Sequence, residues 1–356
     1  MVARQTQRRR ALISRGQENA MKTITFFRSC IGMCVLVFLF CAGTPAQTAP
    51  PQRIHVLTLL GRPAQFVAAD KLGLFAKYGL EVENDNKKNS DELRADLAAG
   101  KGDLAYLAVD NAVAMVEIAH QDVVILMGGE GSQNELIAQS GITSIKDLRG
   151  KTLIVDAPNT AYALQMKKIL LLGGMTVGKD YEIKPFGATP QRLVAMRENK
   201  EFAGSMLGPP VSLVAKHEGF VSLGFVQQLI GPYQAAGFFS QRAWAKDHRD
   251  LVISFLSACI EAQQWLLVPA NRQQVIDMLI GQYHLTREIA AEDYEVSMTR
   301  PGGYAKDAQF DLRGFENVLK LRAEVEGQWG GHPPAVGKYY DPSYYDAALA
   351  KIKHTP

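Results

Sequence analysis

The pattern of apolar and polar positions changes character twice along the chain. Ile31–Cys41 (IGMCVLVFLFC) is apolar without a break. From about residue 53 to 240, short apolar runs of strand length alternate with segments of helical period. From Trp244 onward the pattern is almost wholly helical, over about 249–267, 270–282, 286–298 and 308–326, with a short helix after Ser343. Apolar runs of four to eight residues fit buried strands, and recurrence at three and four residues fits helix faces.

Within the alternating region, Arg53–Leu60 predicts a first strand, which Gly61-Arg62-Pro63 interrupts. Pro63 suits a helix start, and Ala64–Lys71 continues helically. Leu80–Glu83, Asp103–Ala108, Val123–Met127, Glu135–Ala138, Thr152–Asp156, Glu182–Pro185, Phe202–Met206 and Gln234–Ser240 predict further strands. Asn89 with Glu92 reads as a capping box opening a helix to Ala99. Helices are also predicted for Asn111–Ala119, from Asn159 or Thr160 to Leu172, from Thr189-Pro190, and for Pro209–His217. Ser144 and Asp147 cap a helical turn. Strand–helix alternation of this kind implies parallel pairing with helices on both faces.

The rhythm breaks at Gly128-Gly129-Glu130-Gly131 and restarts. The pattern predicts an α/β protein of two lobes, each a mainly parallel sheet flanked by helices, with a helical C-terminal region. Residues 53–131 and 236–356 form lobe 1, residues 132–235 form lobe 2, and the chain crosses near 128–133 and returns near 231–236.

The apolar run at Ile31–Cys41 follows Lys22 and Arg28 and precedes Thr44-Pro45-Ala46, the order of a secretory signal peptide. It falls short of the roughly 20 residues that span a bilayer. Cleavage is expected after Ala46, placing the protein in the periplasm. Met21 opens a complete signal peptide by itself, so residues 1–20 lie outside the fold reading.

The whole chain of 356 residues carries a formal net charge of +3. Residues 1–46 hold seven Lys/Arg against Glu18 alone, and without them 32 basic and 35 acidic side chains remain, a net of −3. The basicity belongs to the leader, so a nucleic-acid role has no electrostatic footing. Cys30, Cys34 and Cys41 leave with the leader; Cys259, in an apolar stretch, reads as a small buried hydrophobe.

Four stretches resemble one family. GRPAQFVAADKLGLFAKYGL (Gly61–Leu80), LAAGKGDL (Leu97–Leu104), ITSIKDLRGKTLIV (Ile142–Val155) and KYYDPSYYDAAL (Lys338–Leu349) are similar, in order, to the nitrate/sulfonate/taurine-type periplasmic binding proteins, kin of the thiamine-pyrimidine synthases. The resemblance implies a type II periplasmic-binding-protein fold and a protein that captures a small solute for an ABC permease in the inner membrane. It implies a monomer and no cofactor. One departure stands at Phe202, where the family often has Asp in "G-x-x-D-A".

Ligands of open α/β sheets sit beyond the carboxyl ends of the strands. That nominates Arg62, Gln65, Asp110, Asn111, Asn159, Thr160, Ala161, Tyr162, Gly208, Pro209 and Tyr233. Asn159–Tyr162 open a helix, whose free N–H groups attract an electron-rich group; a plain helix cap is the competing reading. Arg62 could pair a carboxylate or sulfonate, or be a solvated surface arginine. Asp110 suits a donor-rich or cationic ligand, or simply caps its helix. Tyr162 and Tyr233 could stack on a ring, whereas Phe66 reads as core. The expected ligand is a small organic anion or a polar heterocycle.

The chain lacks His-Glu-x-x-His, Gly-x-Ser-x-Gly, the phosphate-loop motif and a full Gly-x-Gly-x-x-Gly. Its seven histidines have no metal-ligand spacing. A binding protein is therefore favoured over an enzyme. An exported enzyme of the same fold, or a sensing module for a receptor, is the alternative.

Overall fold

The computed structural model describes residues 50–59 and 61–354. The leader read at residues 1–46 lies outside the described residues, as does Leu60 at the expected end of the first strand.

The first strand, β1 (Gln52–Thr58), leads through Pro63 into helix α1 (Ala64–Lys71) and the single turn α2 (Leu74–Lys77). Gly73 and Gly79 bracket that turn with φ of 65° and 70°, the left-handed region a side chain resists. β2 (Leu80–Asn86), α3 (Ser90–Ala98), β3 (Leu104–Ala108), α4 (Asp110–Glu117) and β4 (Val123–Met127) follow. The Asn89 side chain caps α3 by accepting from the Glu92 N–H at 2.8 Å, while the Glu92 carboxylate accepts from the Lys88 N–H rather than that of Asn89.

The second set begins with β5 (Glu135–Ala138). It continues with β6 (Thr152–Val155), α5 (Ala161–Leu172), β7 (Glu182–Pro185), α6 (Thr189–Glu198), β8 (Phe202–Leu207), α7 (Val211–His217), β9 (Val221–Phe225) and α8 (Val226–Ile230). β10 (Ala236–Gln241) then returns to the first sheet. Helices α9 (Arg242–Asp247), α10 (Arg249–Leu266), α11 (Arg272–Tyr283), α12 (Arg287–Tyr294), α13 (Leu312–Glu326) and α14 (Ser343–His354) complete the chain.

The two five-stranded sheets have the orders β2-β1-β3-β10-β4 and β7-β6-β8-β5-β9. Each is mixed in the same way. β1 pairs in parallel with β2 and β3, and β6 with β7 and β8. The reversed strands, β10 and β5, are antiparallel to both of their neighbours. They are the strands by which the chain enters each sheet from the other. A chain that leaves one sheet at its carboxyl edge and arrives at the facing carboxyl edge must run away from that edge. The crossings therefore account for the antiparallel pairs in sheets otherwise laid out by βαβ units.

The two crossings lie side by side. The Gly131–Gln234 bridge pairs them, and the Ala235 N–H donates to the Glu130 carbonyl at 3.2 Å. The Gln234 amide, fully buried, donates to the Glu130 and Ala236 carbonyls and accepts from the Asp311 N–H at 2.8 Å, which ties in the start of α13.

Beneath the first sheet, Phe66 stacks on Phe238 at 5.8 Å and meets Phe75 and Phe255 edge-on. It is a core residue with no exposed surface. α10 crosses this cluster, carrying Cys259, whose thiol burial holds well above its ordinary pKa. The helical C-terminus is not confined to the first sheet. α13 also packs on α5 of the second set, through Lys167–Glu326 (2.6 Å) and Lys168–Glu324 (2.5 Å).

Candidate functional site

A cavity of about 130 Å³ opens between the carboxyl edges of the two sheets. Thr58, Ala108, Asp156 and Pro209 reach it from the ends of β1, β3, β6 and β8 or the loops just after them. The reversed strands contribute from their amino ends instead: Asn134 just before β5 and Ala236 at the start of β10. Glu130 lines the cavity from the first crossing, and Tyr283 and Tyr304 reach it from the helical region.

The nominated residues divide. Asn111, Thr160, Ala161, Tyr162 and Pro209 line the cavity. Arg62, Gln65, Asp110, Asn159, Gly208 and Tyr233 are not among its lining residues, each for a visible reason. The Arg62 guanidinium is ion-paired with Asp70 on α1. Gln65 is fully buried under the wall, with its amide beside the Tyr106 hydroxyl. Asp110 is fully buried in an ion pair with Arg322 at 2.8 Å. Burial pulls its carboxyl above the usual range and the guanidinium only partly offsets this. The Asn159 side chain accepts from Arg322 at 3.0 Å and its carbonyl accepts from Arg94 at 3.1 Å. Tyr233 is buried in the core between the crossings and α13. Gly208 stands just behind the wall, where a Cβ would lie 2.7 Å from the Asn134 Oδ1 and 3.5 Å from the Tyr162 hydroxyl.

On the second wall the polar groups are already partnered. The Asp156 carboxylate, 4% exposed, accepts from the Ser90 hydroxyl at 2.6 Å and the Thr160 hydroxyl at 2.8 Å. Ser90 is the first residue of α3, so this contact joins the two sets of elements across the cavity. Thr160 stands at the N-cap of α5, yet its hydroxyl serves Asp156 and not the helix N–H groups. Behind Asp156 lies Arg192, fully buried, with Nη1 3.6 Å from that carboxylate. Arg192 also donates to the Thr189 hydroxyl and to the Gly187 and Met206 carbonyls. Its guanidinium lies 5.0 Å from the centre of the Tyr162 ring, a cation–π distance. Burial lifts the Tyr162 hydroxyl to about 12.

The first wall is aromatic around one carboxyl. Glu130 makes no side-chain hydrogen bond or ion pair among the described residues, and burial, with the charge of Asp293 nearby, pushes it up to about 7. Tyr106, Tyr162, Tyr283 and Tyr304 all stand close enough to feel its charge. Among the described residues lining the cavity there is no lysine, arginine or histidine.

In the sequence, Glu130 can serve a donor-rich or cationic ligand or be a solvated hinge carboxylate, and nothing there singles out Ser90, Tyr106, Asn134, Tyr283 or Tyr304. Asp156 is the last residue of the predicted strand Thr152–Asp156, at its carboxyl end, a signal that could have found it. Tyr283 and Tyr304 come from the helical region and carry no local mark.

The architecture is that of the periplasmic-binding-protein fold, with two mixed sheets facing across a cavity. The nitrate-binding protein NrtA of Synechocystis has the same fold, with a TM-score of 0.70 at 14% identity, over 86% of this chain and 91% of that one. The alkanesulfonate-binding protein SsuA of Xanthomonas axonopodis superposes with a TM-score of 0.65 at 14% identity, over 83% and 100%. The chain matches the NMT1-like family over residues 56–280 and belongs to it. The bicarbonate-binding protein CmpA of Synechococcus elongatus is 23% identical over 252 residues, 62% of this chain and 54% of that protein. The chain thus spans about half the length of the curated relatives it matches.

Proposed function

We propose that the protein is an extracytoplasmic solute-binding protein that captures a small molecule between two lobes and delivers it to an ABC importer. The observation that carries this reading is the cavity itself. It lies between the carboxyl edges of two sheets, receives side chains from both, and is bounded by loops and helix starts. Residues 53–131 with 236–356 make up one lobe and 132–235 the other, and the paired crossings at Gly131 and Gln234 serve as the hinge. The closed form, favoured by the ligand's higher affinity for it, is what the permease recognises.

The relatives' names concern bicarbonate, nitrate and alkanesulfonates, all anions. Those names belong to those proteins; among the described residues lining this cavity there is no cationic side chain to pair with an anion. The protein works as a monomer in the periplasm after cleavage at Ala46. It binds its solute without turning it over. Protein isolated from its host should release one unaltered small molecule per chain on denaturation. Release of a converted product, or catalytic loss of the added compound, would favour the enzyme alternative.

A further inference from the structure

The Glu130 carboxyl is the one acidic group on the cavity wall with no side-chain partner among the described residues. Asp156, the other, already has Ser90, Thr160 and Arg192. Glu130 is half-buried on the cavity wall, and a carboxylate drawn partly out of water without a partner carries a cost that a cationic group offsets. Tyr106, Tyr162, Tyr283 and Tyr304 line the same cavity, and the faces of aromatic rings attract cations. Of these, Tyr106 is 9% exposed and lines the cavity, and neither its hydroxyl nor the Gln65 amide beside it completes a sound hydrogen bond.

An anion meets the opposite conditions. The amino end of α5, the natural anion site on this wall, already faces the Asp156 carboxylate through Thr160. Arg192 lies behind Asp156 with no exposed surface. Arg62, which could have reached in, is held by Asp70.

We propose that the ligand carries a cationic nitrogen group, an ammonium or amidinium, which the Glu130 carboxylate holds in the cavity that Tyr106, Tyr162, Tyr283 and Tyr304 also line. The inference rests on the solute-binding reading and names the chemical class that the site selects.

Isothermal titration at pH 8 with benzylamine and benzamidine, against benzyl alcohol and benzoate as neutral and anionic matches, tests it. Both cations should bind and benzoate should not. Glu130→Gln should weaken the cations by about thirty-fold or more, as expected for a lost charge-assisted contact. Tyr283→Leu should weaken them about five-fold, and Tyr283→Phe, which keeps the ring face, should not. Thermal unfolding of each variant confirms that it is folded. Benzoate binding as tightly as benzamidine would overturn the proposal while leaving the solute-binding reading intact. Cation binding unchanged in Glu130→Gln overturns it too, as does failure of both cations to bind the folded protein at millimolar concentration. The solute-binding reading is then judged separately by the small molecule released from host-derived protein.

Discussion

Arg322, on α13, places its Nη2 2.8 Å from the Asp110 carboxylate, and neither side chain has any exposed surface. The same guanidinium donates to the Asp110 carbonyl and to the Asn159 side chain, both at 3.0 Å. Asp110 opens α4, beside the first sheet; Asn159 sits in the loop after β6 of the second. One buried arginine therefore joins three elements behind the cavity. A pair of this kind is costly to break from one side, because the remaining charge is stranded. Asp110→Ala should lower the unfolding free energy by about 3–5 kcal/mol in urea titrations. The double variant Asp110→Leu/Arg322→Met should lose less than Asp110→Ala alone. Equal or additive losses would mean that the pair is not acting as a unit.

Glu130 makes stability depend on pH in a direction opposite to that of a salt-bridged carboxylate. Its folded-state pKa, about 7, lies above the ordinary value of 4.5. The folded protein thus holds this proton more tightly than the unfolded chain between those pH values. Stability falls as pH rises through that window. Glu130→Gln removes the fall, so its melting temperature relative to wild type should be higher at pH 8 than at pH 5. The gain is at most about 3 kcal/mol, a few degrees at this size. Asp293, pushed up to about 6 by burial, acts in the same sense and remains in the variant. Identical pH profiles for the two proteins would show that folding does not raise the titration of Glu130.

Gly208 controls how closely two lining side chains approach. A Cβ there would meet the Asn134 Oδ1 at 2.7 Å and the Tyr162 hydroxyl at 3.5 Å. Gly208→Ala should leave the melting temperature within a few degrees of wild type and weaken ligand binding about ten-fold, by shifting Asn134. Unaltered affinity would show that Asn134 does not shape the site.

Much of the fold is written in local pattern, and much of the site is not. Ala64–Lys71, Val123–Met127, Glu135–Ala138 and Glu182–Pro185 match their predicted bounds, and polar residues or Gly flank Val123–Met127 and Glu135–Ala138 on both sides. β9 was not anticipated. Val221–Phe225 is a half-buried edge strand interrupted by Ser222 and Gly224, so it shows neither alternation nor a continuous apolar run. The reversal of β5 and β10 is equally invisible locally, since it follows from where the chain crosses. At the site, position after a strand led to Asn111, Thr160, Ala161, Tyr162 and Pro209. It equally nominated Asp110 and Asn159, which point to Arg322, more than 150 residues away in sequence. No local rule separates a loop residue facing the cavity from one consumed behind it.

Export can be tested by N-terminal sequencing of protein recovered from the periplasmic fraction. The reading of residues 1–46 as a leader, with a signal peptide complete from Met21, predicts a mature chain starting at Gln47. A retained Met1 or Met21 in membrane-bound protein would contradict it.

A solute-binding role requires that a small molecule occupy the space beside Thr160, at the entry to α5. The most direct measurement is a thermal-shift screen run in parallel on wild type and Thr160→Trp, with cationic, neutral heterocyclic and anionic compounds. A true ligand at a hundred times its dissociation constant stabilises by about 2.7 kcal/mol, or roughly 5 °C. The account predicts at least one such shift in wild type, and none from the same compound in a Thr160→Trp protein that still unfolds cooperatively. An undiminished shift in Thr160→Trp would place the ligand elsewhere and contradict the account.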